Sequence, residues 1–156
     1  MVSTTHALVG AVIGKNIDNL WIIIPLSLVS HFALDSIKHG EYVPTFKDKH
    51  GFRRAWWKCL LDITIGAAII FSIIKLEKLD PVTIRNMIIG VSFSLFPDLL
   101  TLFYREFPCK LLEKIYEFHV WCHRIPRNSP ERKWGLEHAK NDILISLAAI
   151  VILLLL

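Results

Sequence analysis

A chain of 156 residues with 53% hydrophobic residues, 21% charged residues and a mean hydropathy of +0.46 is too apolar for a soluble domain of its size and too weakly charged for a disordered one. Its net charge of +4 comes with no nucleic-acid-binding pattern, so the basic balance is assigned to a membrane surface and not to DNA or RNA. The expected class is an all-α integral membrane protein, a single helical membrane domain over residues 1–156.

Val2 to Gly14 is a short apolar segment whose small residues Gly10, Ala11 and Gly14 suit close packing against another helix, so a buried half-helix or short span is expected. It has no basic leader and carries His6 where the apolar core of a signal peptide would begin, so it is expected to be retained. Leu20 to Ile37, Trp57 to Ile74 and Ile84 to Tyr104 approach the ~20 residues that cross a hydrocarbon core. Between the third of these and the last apolar segment lies a connection, 104–140. There Leu111, Leu112, Ile115, Tyr116, Phe118, His119 and Cys122 recur at helical spacing, opposite Lys110, Glu113, Lys114 and Glu117. This predicts an amphipathic helix on the bilayer surface, followed by a loop through Pro126 and Pro130. Ile143 to Leu156 closes the chain and reaches only ~21 Å of a ~30 Å core at 1.5 Å per residue. Four to five membrane helices and one interfacial helix are therefore predicted. Cys59, Cys109 and Cys122 form no CxxC pair and are expected as buried small hydrophobes.

Lysine and arginine set the orientation. The stretches Lys38 to Lys58 and Arg105 to Lys140 hold fourteen of them, and Lys15, Lys75, Lys78 and Arg85 are the four on the other side. The two longer connections are thus expected in the cytoplasm, in a multi-pass inner-membrane protein. Trp56 and Trp57, Trp21 and Tyr104 fall where aromatic belts belong.

His31, Asp35 and His39 follow one another at four-residue steps, and such residues drift by only ~40° per step around a helix, so imidazole, carboxylate and imidazole share a stripe. Ionisable groups inside a membrane cost about 2.5–3.5 kcal/mol each on insertion scales and usually mark a site. The same expected end of the bundle holds Pro97-Asp98, the pair His119 and His123, the pair His138 and Asp142, and His6 if its short helix starts there. Imidazole and carboxylate are the ligands of zinc and of harder ions such as manganese, so a divalent-metal site is expected, zinc first and manganese second. The chain offers enough such pairs for more than one ion, and two-metal centres favour phosphoester hydrolysis. His31, Asp35, Asp98 and His6 are assigned as ligands, with His39 and His123 as further ligands. Glu137 or His138 is assigned as general base or acid, and Arg124 and Arg127 as the holders of substrate phosphate. Asp62 is expected only as a partner for Lys58 one turn earlier.

The stretch Thr5-His6-Ala7-Leu8-Val9-Gly10, the run from Ser30 to Tyr42 and Phe96-Pro97-Asp98 resemble the small bacterial membrane-bound metal-dependent hydrolases. More loosely, the HxxxD pairs are similar to those of zinc-dependent phospholipases C. The first resemblance covers about a third of the chain and implies a helical membrane protein with a His/Asp metal centre built on His6, His31, Asp35, His39 and Asp98. Where that family carries a second acid after Pro-Asp, this chain has Leu99 and Leu100. The function expected is hydrolysis of a phospholipid or another membrane-associated phosphoester at the cytoplasmic face. The rival is a non-catalytic membrane protein, a metal-binding or transport component or a structural partner, using the cluster for metal or for helix packing.

Overall fold

The computed structural model describes residues 1–40, 51–123 and 139–156, which form six helices and no strand. Helix α1 (Ser3–Asn16) lies at the centre and packs against α2 (Leu20–Asp35), α3 (Gly51–Glu77), α4 (Pro81–Glu106) and α6 (Lys140–Leu155). At fourteen residues it is too short to span, and the sequence expectation of a buried half-helix describes it well. Its small residues explain how it is enclosed. A Cβ on Gly10 would lie 2.5 Å from the Gly90 carbonyl oxygen, and one on Gly14 or on Gly90 would run into the backbone of Asn86 or of Gly10. Only glycine lets α1 and α4 cross this closely, as small residues do between membrane helices. Leu8, Ala11, Met87 and Leu153 fill the space beside the crossing.

Burying the start of α1 leaves its first N–H groups without water, and two carboxylates from other helices receive them. The Val2 N–H donates to Asp142 Oδ1 at 2.9 Å, and the Ser3 and Thr4 N–H groups donate to Asp62 at 2.6 and 3.2 Å. Negative charge there also complements the positive end of the helix dipole. Asp62, expected only as a partner for Lys58, thus caps a different helix, and Asp142 is engaged with Val2 and Thr5. At the far end of α1, Lys15 pairs with Glu77 at the end of α3 and with the Leu153 carbonyl at the end of α6. These two sets of contacts fix the bundle as up and down: the starts of α1, α3 and α6 lie together with the ends of α2 and α4.

Trp56–Glu77 and Pro81–Glu106 are long and apolar enough to cross a membrane. Two of the expected spans therefore have the necessary length and composition, while α2 is apolar but only sixteen residues long. The outer faces of the bundle carry exposed apolar side chains, among them Trp21, Val29, Leu60, Phe71, Ile88 and Leu147. At the α3–α4 corner, Lys78 adopts a left-handed φ of 51° and the Leu79 N–H reaches back to the Ile74 carbonyl, the pattern of a Schellman stop. Asp80 then caps α4 through the Val82 and Thr83 N–H groups, with Pro81 in the first turn.

Helix α5 (Lys110–Cys122) is the amphipathic helix the sequence predicts, but its apolar residues divide between two faces. Tyr116 stacks on Tyr104 of α4 at 5.1 Å and His119 is buried, whereas Leu111 and Trp121 face outward. The cysteines correct another expectation: Cys109 is exposed, and Cys59 and Cys122 are only partly covered.

Candidate metal centre

All the contacts at the buried end of the bundle turn on Asp35, which ends α2 and is 2% exposed. A carboxylate so far from water must be paired. Its Oδ1 lies 2.7 Å from the Met1 nitrogen and 3.2 Å from His6 Nε2. Its Oδ2 lies 2.9 Å from His119 Nε2, 3.1 Å from His31 Nε2 and 3.4 Å from His123 Nε2. Three helices supply those rings: α1 brings His6, α2 brings His31 one turn before Asp35, and α5 brings His119, with His123 directly after its end.

The other ring nitrogens decide what the Nε2 atoms carry. His31 Nδ1 is 2.7 Å from the Ser94 carbonyl, and a carbonyl only accepts, so Nδ1 holds the proton. With the single Thr101 hydroxyl proton given to the Pro97 carbonyl at 3.1 Å, the 2.9 Å contact with His119 Nδ1 is donated by the ring. In the neutral rings both Nε2 atoms therefore present lone pairs, 3.4 Å apart and both aimed at Asp35 Oδ2. Such an arrangement repels itself unless a proton or a metal ion lies between the atoms. Backbone and hydroxyl partners on Nδ1 are what oriented metal-ligating histidines ordinarily have.

Asp98 on α4 completes the set, with Oδ1 4.0 Å from His31 Nε2 and 3.7 Å from His119 Nε2. Bonds of 2.0–2.1 Å to a tetrahedral ion give ligand–ligand edges of about 3.3–3.4 Å. The edges from 2.9 to 4.0 Å among His31, Asp35, Asp98 and His119 bracket that value. A divalent ion fits this donor set by distance and by chemistry. It would also neutralise two carboxylates held near neutral imidazoles. A second group, Asp35, His39 and His123, likewise brings one ligand atom from each residue within 4.8 Å of the others.

The residues assigned from sequence fall as follows. His31, Asp35, His39, Asp98 and His123 come together in these two groups. His6 belongs to neither: its ring stacks on His31 at 4.2 Å and its Nε2 faces Asp35 Oδ1, the geometry of a donor that orients the carboxylate. Its Nδ1 is buried without a hydrogen-bond partner among the described residues. Glu137, His138, Arg124 and Arg127 lie outside the described residues.

The sequence reading assigned no ligand role to His119 alone, although its spacing from His123 and its place on the apolar edge of α5 were visible. Ser94 and Thr101 gave no signal. Ser94 joins three helices, since its hydroxyl donates to the His6 carbonyl at 2.8 Å while its own carbonyl receives His31. Thr101 is one turn after Pro97, which lacks the N–H that would otherwise bond back to Phe93.

Of the centre's residues Asp98 is the opening. Its side chain is 41% exposed, while those of His31, Asp35, His119 and His123 are at most 5% exposed. Phe96, Leu99 and Phe103 are exposed elsewhere around the same helix. No family model, no curated protein and no solved structure matches this chain.

Proposed function

We propose that the protein is a membrane-embedded, divalent-metal-dependent hydrolase that acts on a phospholipid or another membrane-associated phosphoester. The observation that carries this reading is the pair of Nε2 lone pairs of His31 and His119, fixed by their Nδ1–H bonds and converging with Asp35 and Asp98 at ligand spacing. A divalent ion held by these four residues would supply a Lewis acid for a phosphoryl oxygen and, on expanding to a fifth position, an acidified water with a pKa near ~7. The chain does the rest. His31 and His119 hold their rings by second hydrogen bonds, His6 orients Asp35, and Asp98 stands at the mouth where a substrate arrives. Arg124 and Arg127 follow His123 in the chain and are the candidates for binding the substrate's phosphate.

Four to five spans belong to this reading, with α2 and α6 as short spans beside α3 and α4 and with α1 enclosed among them. The stretches Lys38 to Lys58 and Arg105 to Lys140, with fourteen of the lysines and arginines, favour the cytoplasmic face for the end that holds the centre.

Purified protein should hydrolyse a fluorogenic phospholipid, lose that activity to a chelator and regain it with Zn(II) or Mn(II), the rate rising with pH through about 7. His31→Ala and Asp35→Asn should abolish turnover without preventing membrane insertion. A metal-loaded protein silent on phospholipids and on generic phosphoesters, whose His31 and Asp35 variants lose only thermal stability, would make the cluster a structural device for holding helices together.

A further inference from the structure

We propose that the centre is binuclear: Asp35 bridges one ion held with His31, Asp98 and His119 to a second held with His39 and His123. This rests on the metal reading above and adds to it a second site with its own ligands.

Asp35 is the one residue common to the two groups whose ligand atoms lie within 4.8 Å of one another. Its buried Oδ2 faces His31 and His119 of the first group and His123 of the second alike, while Oδ1 is held by Met1 and His6, so that one oxygen is the atom the two ions would share. The second group repeats the orienting chemistry of the first. His39 Nδ1 lies 2.6 Å from the Ile37 carbonyl, which only accepts, so in the neutral ring Nε2 is the lone-pair atom. His39 is 3% exposed and the His123 side chain 5%, so neither imidazole is a solvated surface group.

Two chain segments each contribute in the same order. Along α5 the rings of His119 and His123 stack in parallel, 5.1 Å between centroids and 15° between planes, so successive turns offer one nitrogen to each site. On the other side His31 and Asp35 lie on α2, and His39 follows beyond its end with its ring 5.3 Å from that of His123.

The two sites differ in the ligands they receive. Among the described residues, four offer ligand atoms to the first ion and three to the second. The charge balance bears on what the pair would bind. With the Met1 ammonium beside Asp35, two divalent ions against the carboxylates of Asp35 and Asp98 leave a strongly positive centre, which selects an anionic ligand such as a phosphate diester, and a single ion leaves a weaker positive one.

The test counts ions in the full chain. Protein purified in detergent, stripped with chelator and titrated with Mn(II), should bind two ions per chain by elemental analysis. Its electron paramagnetic resonance spectrum should be that of a spin-coupled pair, because carboxylate-bridged ions sit about 3.5–4 Å apart. The His39→Gln, His123→Gln double variant should bind one ion with an uncoupled spectrum, and Asp35→Asn should lose the coupled signal. One ion per chain in the wild type, with an isolated-ion spectrum that the double variant leaves unchanged, overturns the bridge and leaves the single-ion hydrolase standing. No bound ion at any concentration removes both. The wild-type spectrum decides the matter even if the variants fail to fold.

Discussion

Thr101 forms no part of either ligand group, yet it fixes which nitrogen of His119 faces Asp35. Its hydroxyl proton is committed to Pro97, so the oxygen can only accept from the ring. Thr101→Val keeps the shape and removes that acceptor, and His119 can then turn over or change tautomer. Metal affinity should fall by about 10–100-fold, the usual effect of losing such an outer partner, while Thr101→Ser should restore it. Competition with a chelating dye measures both, and equal affinities for all three proteins would show that the ring is held by packing alone. The stripe His31, Asp35, His39 was legible at this scale because helical periodicity is written directly into residue spacing. Ser94 and Thr101 were not, since a hydroxyl or a carbonyl acquires meaning only from the ring that folding places beside it. His119 falls between: its spacing from His123 was readable, but which edge of α5 turns inward depends on α2 and α4.

Among the elements, α1 was readable as a short, small-residue helix, and its partners were not. Gly10 and Gly14 announce a close approach without saying to what, and Gly90 lies within a longer apolar run that gives it no emphasis. The carboxylates Asp62 and Asp142 were read as a lysine partner and as half of a metal pair, because a cap supplied from another helix leaves no local pattern. These contacts make a differential prediction. Gly90→Ala drives a methyl group into the Gly10 carbonyl, which as backbone cannot move aside, and should destabilise by about 1–3 kcal/mol as overpacking does. Gly66→Ala meets Thr4 Cα at 3.3 Å and needs a shift of only tenths of an ångström. The gain in helix propensity of roughly 0.8–1 kcal/mol offsets that contact, so its effect should be close to zero. Thermal unfolding in one detergent compares them. Equal midpoints would mean that α1 and α4 cross less closely than their glycines allow.

For the whole molecule, composition and charge pointed to a membrane bundle before any contact was known, since 53% hydrophobic residues need an apolar solvent or an apolar core. The up-and-down packing adds a correspondence that neither source contains alone. Asp35, Asp98, His119 and the capped start of α1 all gather at one end. The described chain breaks off into the basic stretches after Gly40 and His123 at that same end, and Lys15, Glu77 and Asn86 lie at the other. If lysine and arginine retention sets the topology, the end that holds the candidate centre faces the cytoplasm, and the proposed substrate would be met there. Single cysteines placed at the exposed positions Lys140 and Asp18, in a background with Cys59, Cys109 and Cys122 changed to serine, separate the two ends. In intact cells a membrane-impermeant maleimide should label Asp18→Cys and leave Lys140→Cys untouched until the membrane is opened. The opposite pattern would turn the centre toward the exterior, and the substrate would then have to be sought in the outer leaflet. Labelling of both positions in intact cells would break the bundle's common orientation and, with it, the assignment of short spans to α2 and α6.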